Sequence, residues 1–150
     1  MRAVIQRVSW AEVRINGEET RKISHGFVIL VGIENTDNQN DIIWLTKKIV
    51  NLRVFDDEKG VMNKSLKEVS GELMIVSQFT LHAKTKKGNR PSYIHAAKPD
   101  IAIPIYEAFI KEMKNFISEK VVTGDFGAHM EITLTNDGPV TLIIDTKNKE

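Results

Sequence analysis

Hydrophobic and polar positions alternate along much of this chain, and elsewhere the apolar residues gather into short blocks. Val4-Ile5-Gln6-Arg7-Val8 and Ala11-Glu12-Val13-Arg14-Ile15 predict strands, the second with a charge at every other position, as a half-exposed strand requires. Asn16-Gly17 follows and predicts a tight two-residue hairpin, because both residues tolerate positive φ. Residues 26–33 are apolar throughout, which suits a strand covered on both faces. A polar stretch over residues 34–40 leads into a helix whose stripe is Ile42, Leu45, Ile49 and Leu52. Arg53-Val54-Phe55 predicts a short strand ended by the turn Asp56-Asp57-Glu58-Lys59-Gly60, and Leu73-Met74-Ile75-Val76 a buried one. Residues 101–117 form a second long helix, with Ile105, Phe109, Met113 and Phe116 on one face. Pro104 kinks that helix or confines its start to the neighbourhood of Ile103. Met130, Ile132 and Leu134 alternate with Glu131, Thr133 and Thr135, and residues 140–144 form a last strand. The expected fold is mixed α/β: a largely antiparallel, barrel-like sheet with two long covering helices.

Composition adds boundaries. A chain of 150 residues fits one domain, here residues 1–150, with no linker or repeat. No apolar run reaches the ~20 residues of a membrane span, and Gln6 and Arg7 interrupt what a signal peptide needs to be apolar. With zero Cys, disulfides, thiol nucleophiles and thiolate metal sites are all excluded. A soluble cytoplasmic protein without membrane association is expected. His25, His82, His95 and His129 are scattered at no metal-ligand spacing, and no phosphate-cradling or dinucleotide-binding glycine motif is present. No metal and no cofactor are expected.

Three segments carry candidate chemistry. Ser77-Gln78-Phe79-Thr80 closes the strand predicted over residues 73–76, and hydroxyl, amide and backbone N–H groups there can converge on a developing oxyanion. No base adjoins the hydroxyls in sequence, and the same residues could simply satisfy a strand end. Asn136-Asp137-Gly138-Pro139 reads as a turn, or as a rigid wall presenting carbonyls to a pocket. The third segment is electrostatic. The net charge of +1 argues against a nucleic-acid partner until it is divided along the chain. Residues 73–99 contain no Asp or Glu but hold Lys84, Lys86, Lys87, Arg90 and Lys98. Removing those five from the 21 Lys and Arg leaves 16 against 20 Asp and Glu. A local basic loop beside Ser77–Thr80 suits a phosphate backbone, although a solvated loop is the plain alternative.

These residues together resemble the D-aminoacyl-tRNA deacylase family of the D-Tyr-tRNA deacylase type. The likeness runs through Ala3-Val4-Ile5-Gln6-Arg7-Val8, Gly60-Val61-Met62-Asn63, Ser77-Gln78-Phe79-Thr80-Leu81, Gly88-Asn89-Arg90-Pro91-Ser92 and Asn136-Asp137-Gly138-Pro139-Val140-Thr141. Asn89 stands where an apolar residue is expected. The resemblance implies hydrolysis of the ester joining a D-amino acid, or glycine, to the 3′-terminal adenosine of tRNA. It implies a homodimer with active sites at the interface, where a cis Gly138-Pro139 enters the partner's pocket and excludes L-side chains. Ser77, Gln78 and Phe79 match positions around the scissile carbonyl, with backbone N–H groups as oxyanion donors. Thr80 matches a residue once assigned as nucleophile and later judged dispensable, the 2′-hydroxyl of the adenosine assisting instead. Arg7 matches a brace for the Gly-Pro element, Met130 a pocket-lining position, and Asn136 opens the Gly-Pro motif. Lys84, Lys86, Lys87 and Arg90 are the expected tRNA contacts. The rival reading is a non-catalytic nucleic-acid-binding module.

Overall fold

The computed structural model describes residues 1–117 and 120–150. Its spine is one long strand, β1 (Arg2–Ile15), where the sequence predicts two. β1 pairs antiparallel with β2 (Glu19–Ile23) through its second half and with β3 (Gly26–Gly32) through its first. Along its other edge runs β8 (Met130–Asp145), also antiparallel. β3 pairs in parallel with β6 (Glu72–Ser77), and β6 in parallel with β7 (Val121–Thr123). The sheet is therefore mixed, antiparallel around β1 and parallel beyond β3. Parallel neighbours need crossovers, and the helix α1 (Gln39–Val50) lies between β3 and β6, while α2 (Pro99–Phe116) lies between β6 and β7. β4 (Phe55–Asp56) and β5 (Met62–Lys64) form a separate small hairpin. That hairpin begins later than Arg53: the Val54 carbonyl accepts from the Arg7 side chain, and Arg53 reaches Asn63 through its side chain alone.

The buried run in β3 is apolar on both sides because two cores meet there. Phe27, Ile29, Leu73 and Ile75 pack with Leu45, Ile49, Phe109 and Met113 of the helices. Val28, Met74 and Val76 pack instead with Val8, Ala11, Val13 and Ile15 inside the curl of the sheet. The curl is held by Arg21 of β2, whose Nη1 donates to the Thr123 carbonyl of β7 at 2.5 Å. Along β1 a register irregularity between Val8 and Trp10 adds one residue. A one-residue slip exchanges faces, so Ala3 and Ile5 face the helices whereas Ala11, Val13 and Ile15 face the interior of the curl.

Local chemistry accounts for the ends. Asn38 caps α1, its side chain accepting from the Asn40 N–H at 2.9 Å while Asp41 accepts from the Asn38 N–H at 3.0 Å. Helix α1 stops at Val50, so Leu52 packs from the following segment. Asn16 and Gly17 take φ of 50° and 75° as expected, but Glu18 adds a third residue before Glu19 pairs with Ile15. Pro104 neither starts α2 nor confines it to Ile103. The helix begins at Pro99, where a proline fits the first turn, and carries Pro104 inside at the loss of one backbone bond.

Candidate active site

Strand β6 delivers Ser77 to the end of the parallel ladder, opposite Val31 of β3. The strand is steadied just upstream. The Ile75 carbonyl accepts from the Gly124 N–H at 3.0 Å and from the Tyr106 hydroxyl at 2.9 Å. Burial pushes the Tyr106 phenol well above its ordinary pKa, so it stays a donor. After Ser77 the Gln78 N–H donates to the Val31 carbonyl at 2.8 Å, and residues Phe79–His82 turn back as a short 3₁₀ segment. Gly32 permits this fold-back. A Cβ there would sit 2.9 Å from His82 Cδ2 and 3.0 Å from the Gln78 carbonyl oxygen.

Alternation along β6 then sets which donors are available. Gln78 N–H points to β3, so the Ser77 N–H points to the opposite side, past Thr123, the last residue of β7 in register. On that side lies a cleft of about 290 Å³, with Ser77, Gln78 and Phe79 on one wall and Phe126, Ala128 and Met130 on the other. Phe79 opens the 3₁₀ turn, and the first N–H groups of a turn have no acceptor within it. Ser77 and Phe79 are thus the backbone donors that can face a ligand, whereas Gln78 has spent its own on β3. The far wall rests on Gly124, where any Cβ would collide with the Met130 sulfur. Arg21 holds the same loop, with Nη2 3.0 Å from Asp125 Oδ1.

Thr80 does not share that cleft. Its hydroxyl takes a hydrogen bond from the Gln78 side-chain amide and lines a separate groove with Arg2, Leu81 and Leu142. Arg7, Asn136, Gly138 and Pro139 form a second constellation, distinct from the cleft walls. Between Gln6↔Thr141 and Val8↔Asn136 the β8 side has three residues more than the β1 side, and Asp137-Gly138-Pro139 loop outward. Asn136 ties the excursion at its base: its Oδ1 accepts from the Val140 N–H at 3.1 Å and its Nδ2 donates to Thr141 Oγ1 at 2.8 Å. Gly138 has φ +121°, and the Gly138–Pro139 peptide is cis. Arg7, with a side chain only 7% exposed, donates to the Val54 carbonyl at 2.5 Å, to the Asp137 carbonyl at 3.1 Å and to Asp56 at 3.3 Å. The guanidinium therefore pins the excursion to the β4–β5 hairpin, while Gly138 and Pro139 themselves stand exposed.

Lys84, Lys86, Lys87 and Arg90 lie on an exposed loop closed by reciprocal backbone bonds between Lys84 and Ser92 at 2.8 and 3.0 Å. Among the described residues none of the four forms an ion pair. Sequence reasoning missed the walls supplied by Phe126 and Ala128, and it set aside His129, among the described residues the one ionisable residue lining the cleft. The signal was modest: two glycines in Gly124-Asp125-Phe126-Gly127 mark a turn directly before Met130.

Backbone donors at a strand end, facing an apolar cleft, are able to stabilise a developing oxyanion. Residues 4–145 match the family model described as D-Tyr-tRNA(Tyr) deacylase, and the chain belongs to this family. It is 63% identical to a D-aminoacyl-tRNA deacylase of Bacteroides fragilis and 59% identical to one of Flavobacterium psychrophilum, in each case over 100% of both chains. Among solved structures it is similar to a c-Myc DNA unwinding element binding protein, at 37% identity and TM-score 0.91, covering 97% of this chain and 98% of that one. A probable eukaryotic D-amino acid tRNA deacylase shares the fold at 15% identity and TM-score 0.83, covering 95% of this chain and 97% of that one.

Proposed function

We propose that the protein is a D-aminoacyl-tRNA deacylase that hydrolyses the ester between a D-amino acid, or glycine, and the 3′-terminal adenosine of tRNA. The observation that carries this reading is a separation. The Ser77–Phe79 wall and the exposed Gly138-Pro139 excursion belong to one chain but to different places on it. Both would serve one substrate if a second copy brought its Gly138-Pro139 over this cleft. Two features of the surface support such a homodimer. Among the described residues β8 pairs with β1 alone, so one edge of a strand 16 residues long is open. The register pairs Val4↔Ile143 and Gln6↔Thr141 also present an uncharged strip, with Ile143 73% exposed.

In the proposed reaction the ester carbonyl lies against the Ser77 and Phe79 N–H groups. Water adds to its carbon, and the two donors stabilise the oxyanion. The carbon–oxygen bond to the ribose then breaks, with the neighbouring 2′-hydroxyl assisting proton transfer to the 3′-oxygen. A free amino acid and uncharged tRNA result. The Gly138 and Pro139 carbonyls of the second copy accept from the substrate's α-ammonium. That fixes the Cα so an L-side chain would collide with the Gly-Pro wall, while a D-side chain points outward and glycine has nothing to exclude. Enantiomer choice thus comes from rejecting the wrong partner. Met130 lines the wall across from the donors, and Lys84, Lys86, Lys87 and Arg90 meet the phosphate backbone.

The test is release of D-tyrosine from D-Tyr-tRNA against L-tyrosine from L-Tyr-tRNA. Equal rates on the two, or no rate above the blank, would reject the assignment. The second reading, a nucleic-acid-binding module without chemistry, is favoured by the basic loop and by the DNA-element-binding name of one structural relative. It expects tRNA retention with no ester cleavage, so the same assay separates the two.

A further inference from the structure

Phe79 has two neighbourhoods. The residue helps line the cleft, yet it is 54% exposed. Its ring meets that of Tyr93 edge to face, with centroids 4.9 Å apart and planes at 72°. Tyr93 is itself 40% exposed and Ile94, next in the chain, 77% exposed. Exposed apolar groups thus extend from the cleft residue Phe79 to Tyr93, with Ile94 next to it in the chain. It runs beside the base of the cationic loop, since Lys84 and Ser92 close that loop one residue before Tyr93. No Asp or Glu lies anywhere in residues 73–99.

Exposed aromatic rings flanked by unpaired cations suit single-stranded nucleic acid, whose bases stack while its phosphates meet the charges. A protein partner of ordinary composition would bring acidic and apolar groups together, and the cations here are set on a projecting loop instead of ringing the aromatic patch. We infer that Tyr93, with the outer face of Phe79 and with Ile94, is a stacking platform for the unpaired nucleotides that precede the terminal adenosine of the substrate tRNA. This rests on the deacylase reading above and extends it: the cleft takes the ester and its adenosine, and the platform takes the next bases as they leave it. Lys84, Lys86, Lys87 and Arg90 then lie alongside the phosphates of those nucleotides.

The experiment compares two esters, D-Tyr-tRNA and D-tyrosyl-adenosine, which lacks every nucleotide the platform would hold. In Tyr93→Ala the ratio of kcat/KM on the tRNA to kcat/KM on the adenosine ester should fall about tenfold, carried by KM on the tRNA. Tyr93→Phe should keep the ratio, because the ring and not the hydroxyl does the stacking. A tRNA with an abasic residue beside its terminal adenosine should reproduce the loss in the wild type, and the two changes together should cost no more than one. An unchanged ratio overturns the platform. So does an equal fall on both esters, and gel filtration would then assign Tyr93 to the subunit interface if the variant also changes size. A wild type inactive on both esters overturns the deacylase reading and the platform with it, and is distinguishable from either result by the control substrate alone.

Discussion

Gly138→Ala is the sharpest perturbation that the geometry offers. The residue holds φ +121°, a region that L side chains rarely adopt, and a Cβ there would lie 2.9 Å from Val140 Cγ2 and 3.0 Å from Arg7 Nη2. Arg7 cannot yield freely, because its guanidinium is held at 2.5 Å by the Val54 carbonyl and at 3.1 Å by the Asp137 carbonyl. Val140 is also held, through its N–H, at 3.1 Å from Asn136. The excursion itself must therefore move outward by several tenths of an ångström. Backbone strain of this kind costs about 1–3 kcal/mol, which lowers Tm by roughly 2–4 °C per kcal/mol in a chain of this size. The effect on turnover is expected to be larger, since a misplacement near 1 Å can cost about 100-fold. The assay is deacylation of D- and L-Tyr-tRNA beside a thermal melt. A variant whose Tm falls as stated, while its D-rate and its rejection of L-Tyr-tRNA remain those of the wild type, would refute the placement of Gly138 at a catalytic cleft.

Other outcomes follow from particular contacts. Thr80→Ala should leave D-Tyr-tRNA turnover within about threefold of wild type, since its hydroxyl is tied to Gln78 and lines a different groove; abolished turnover in a folded variant would restore a side-chain nucleophile. His129→Ala separates substrate-assisted from side-chain base catalysis, because among the described residues it is the one ionisable group lining the cleft; turnover within about tenfold of wild type is expected, and a loss beyond about 100-fold in a folded variant would make it a general base. Replacing Lys84, Lys86 and Lys87 by Ala should reduce the slope of log K against log salt for tRNA by about 2–3, and an unchanged slope would return the loop to bulk solvent. Asp41 supplies a pH prediction: burial opposes its charge, but bonds from Lys147, Thr146 and the Asn38 backbone outweigh this and hold its pKa at about 2. A depressed carboxyl stabilises the fold above its ordinary pKa and loses that contribution as pH falls toward 2, so Asp41→Asn should cost about 2 kcal/mol at neutral pH and flatten the stability loss between about pH 4 and pH 2.

What could be seen in the sequence divides along a physical line. Periodicity is a local property, so the strand runs at residues 26–33 and 73–76 and the stripe of Ile42, Leu45 and Ile49 are legible, and all but Ile33, which follows β3, lie in elements of their type. Direction of pairing is not local. Nothing in Leu73-Met74-Ile75-Val76 says that its neighbours run parallel; the mixed, largely antiparallel expectation holds around β1, and the parallel part falls beyond β3, where two helices act as crossovers. Arg53-Val54 has strand propensity but sits outside the ladder, where the Val54 carbonyl is taken by the distant Arg7 side chain. At the site, Ser77–Phe79 is readable as a polar strand end and Met130 through the resemblance. Phe126 and Ala128 are not, since a wall made of ordinary loop residues acquires meaning only when Gly124 lets the chain close on Met130.

The extra residue between Val8 and Trp10 links the fold to the proposed assembly more directly than any motif does. Before it, odd positions of β1 face the helices; after it, odd positions face the interior of the curl. The first-half residues opposite Ala3 and Ile5, namely Val4 and Gln6, consequently lie on the face that would be interior but where the curl is open. Their partners Ile143 and Thr141 are on that same face, and both are exposed. Beside the same irregularity, β8 makes its own excursion at Asp137-Gly138-Pro139, braced by Arg7 from β1. One pair of strands thus leaves an uncharged face uncovered and projects a rigid element next to it. A second copy related by a two-fold axis would cover the face and receive the element in a single contact, and any closed dimer repeats that contact twice. If Val4→Lys, placed opposite Ile143, leaves the molecule dimeric and fully active, the open face is not the contact and the cross-subunit route to the cleft loses its structural basis.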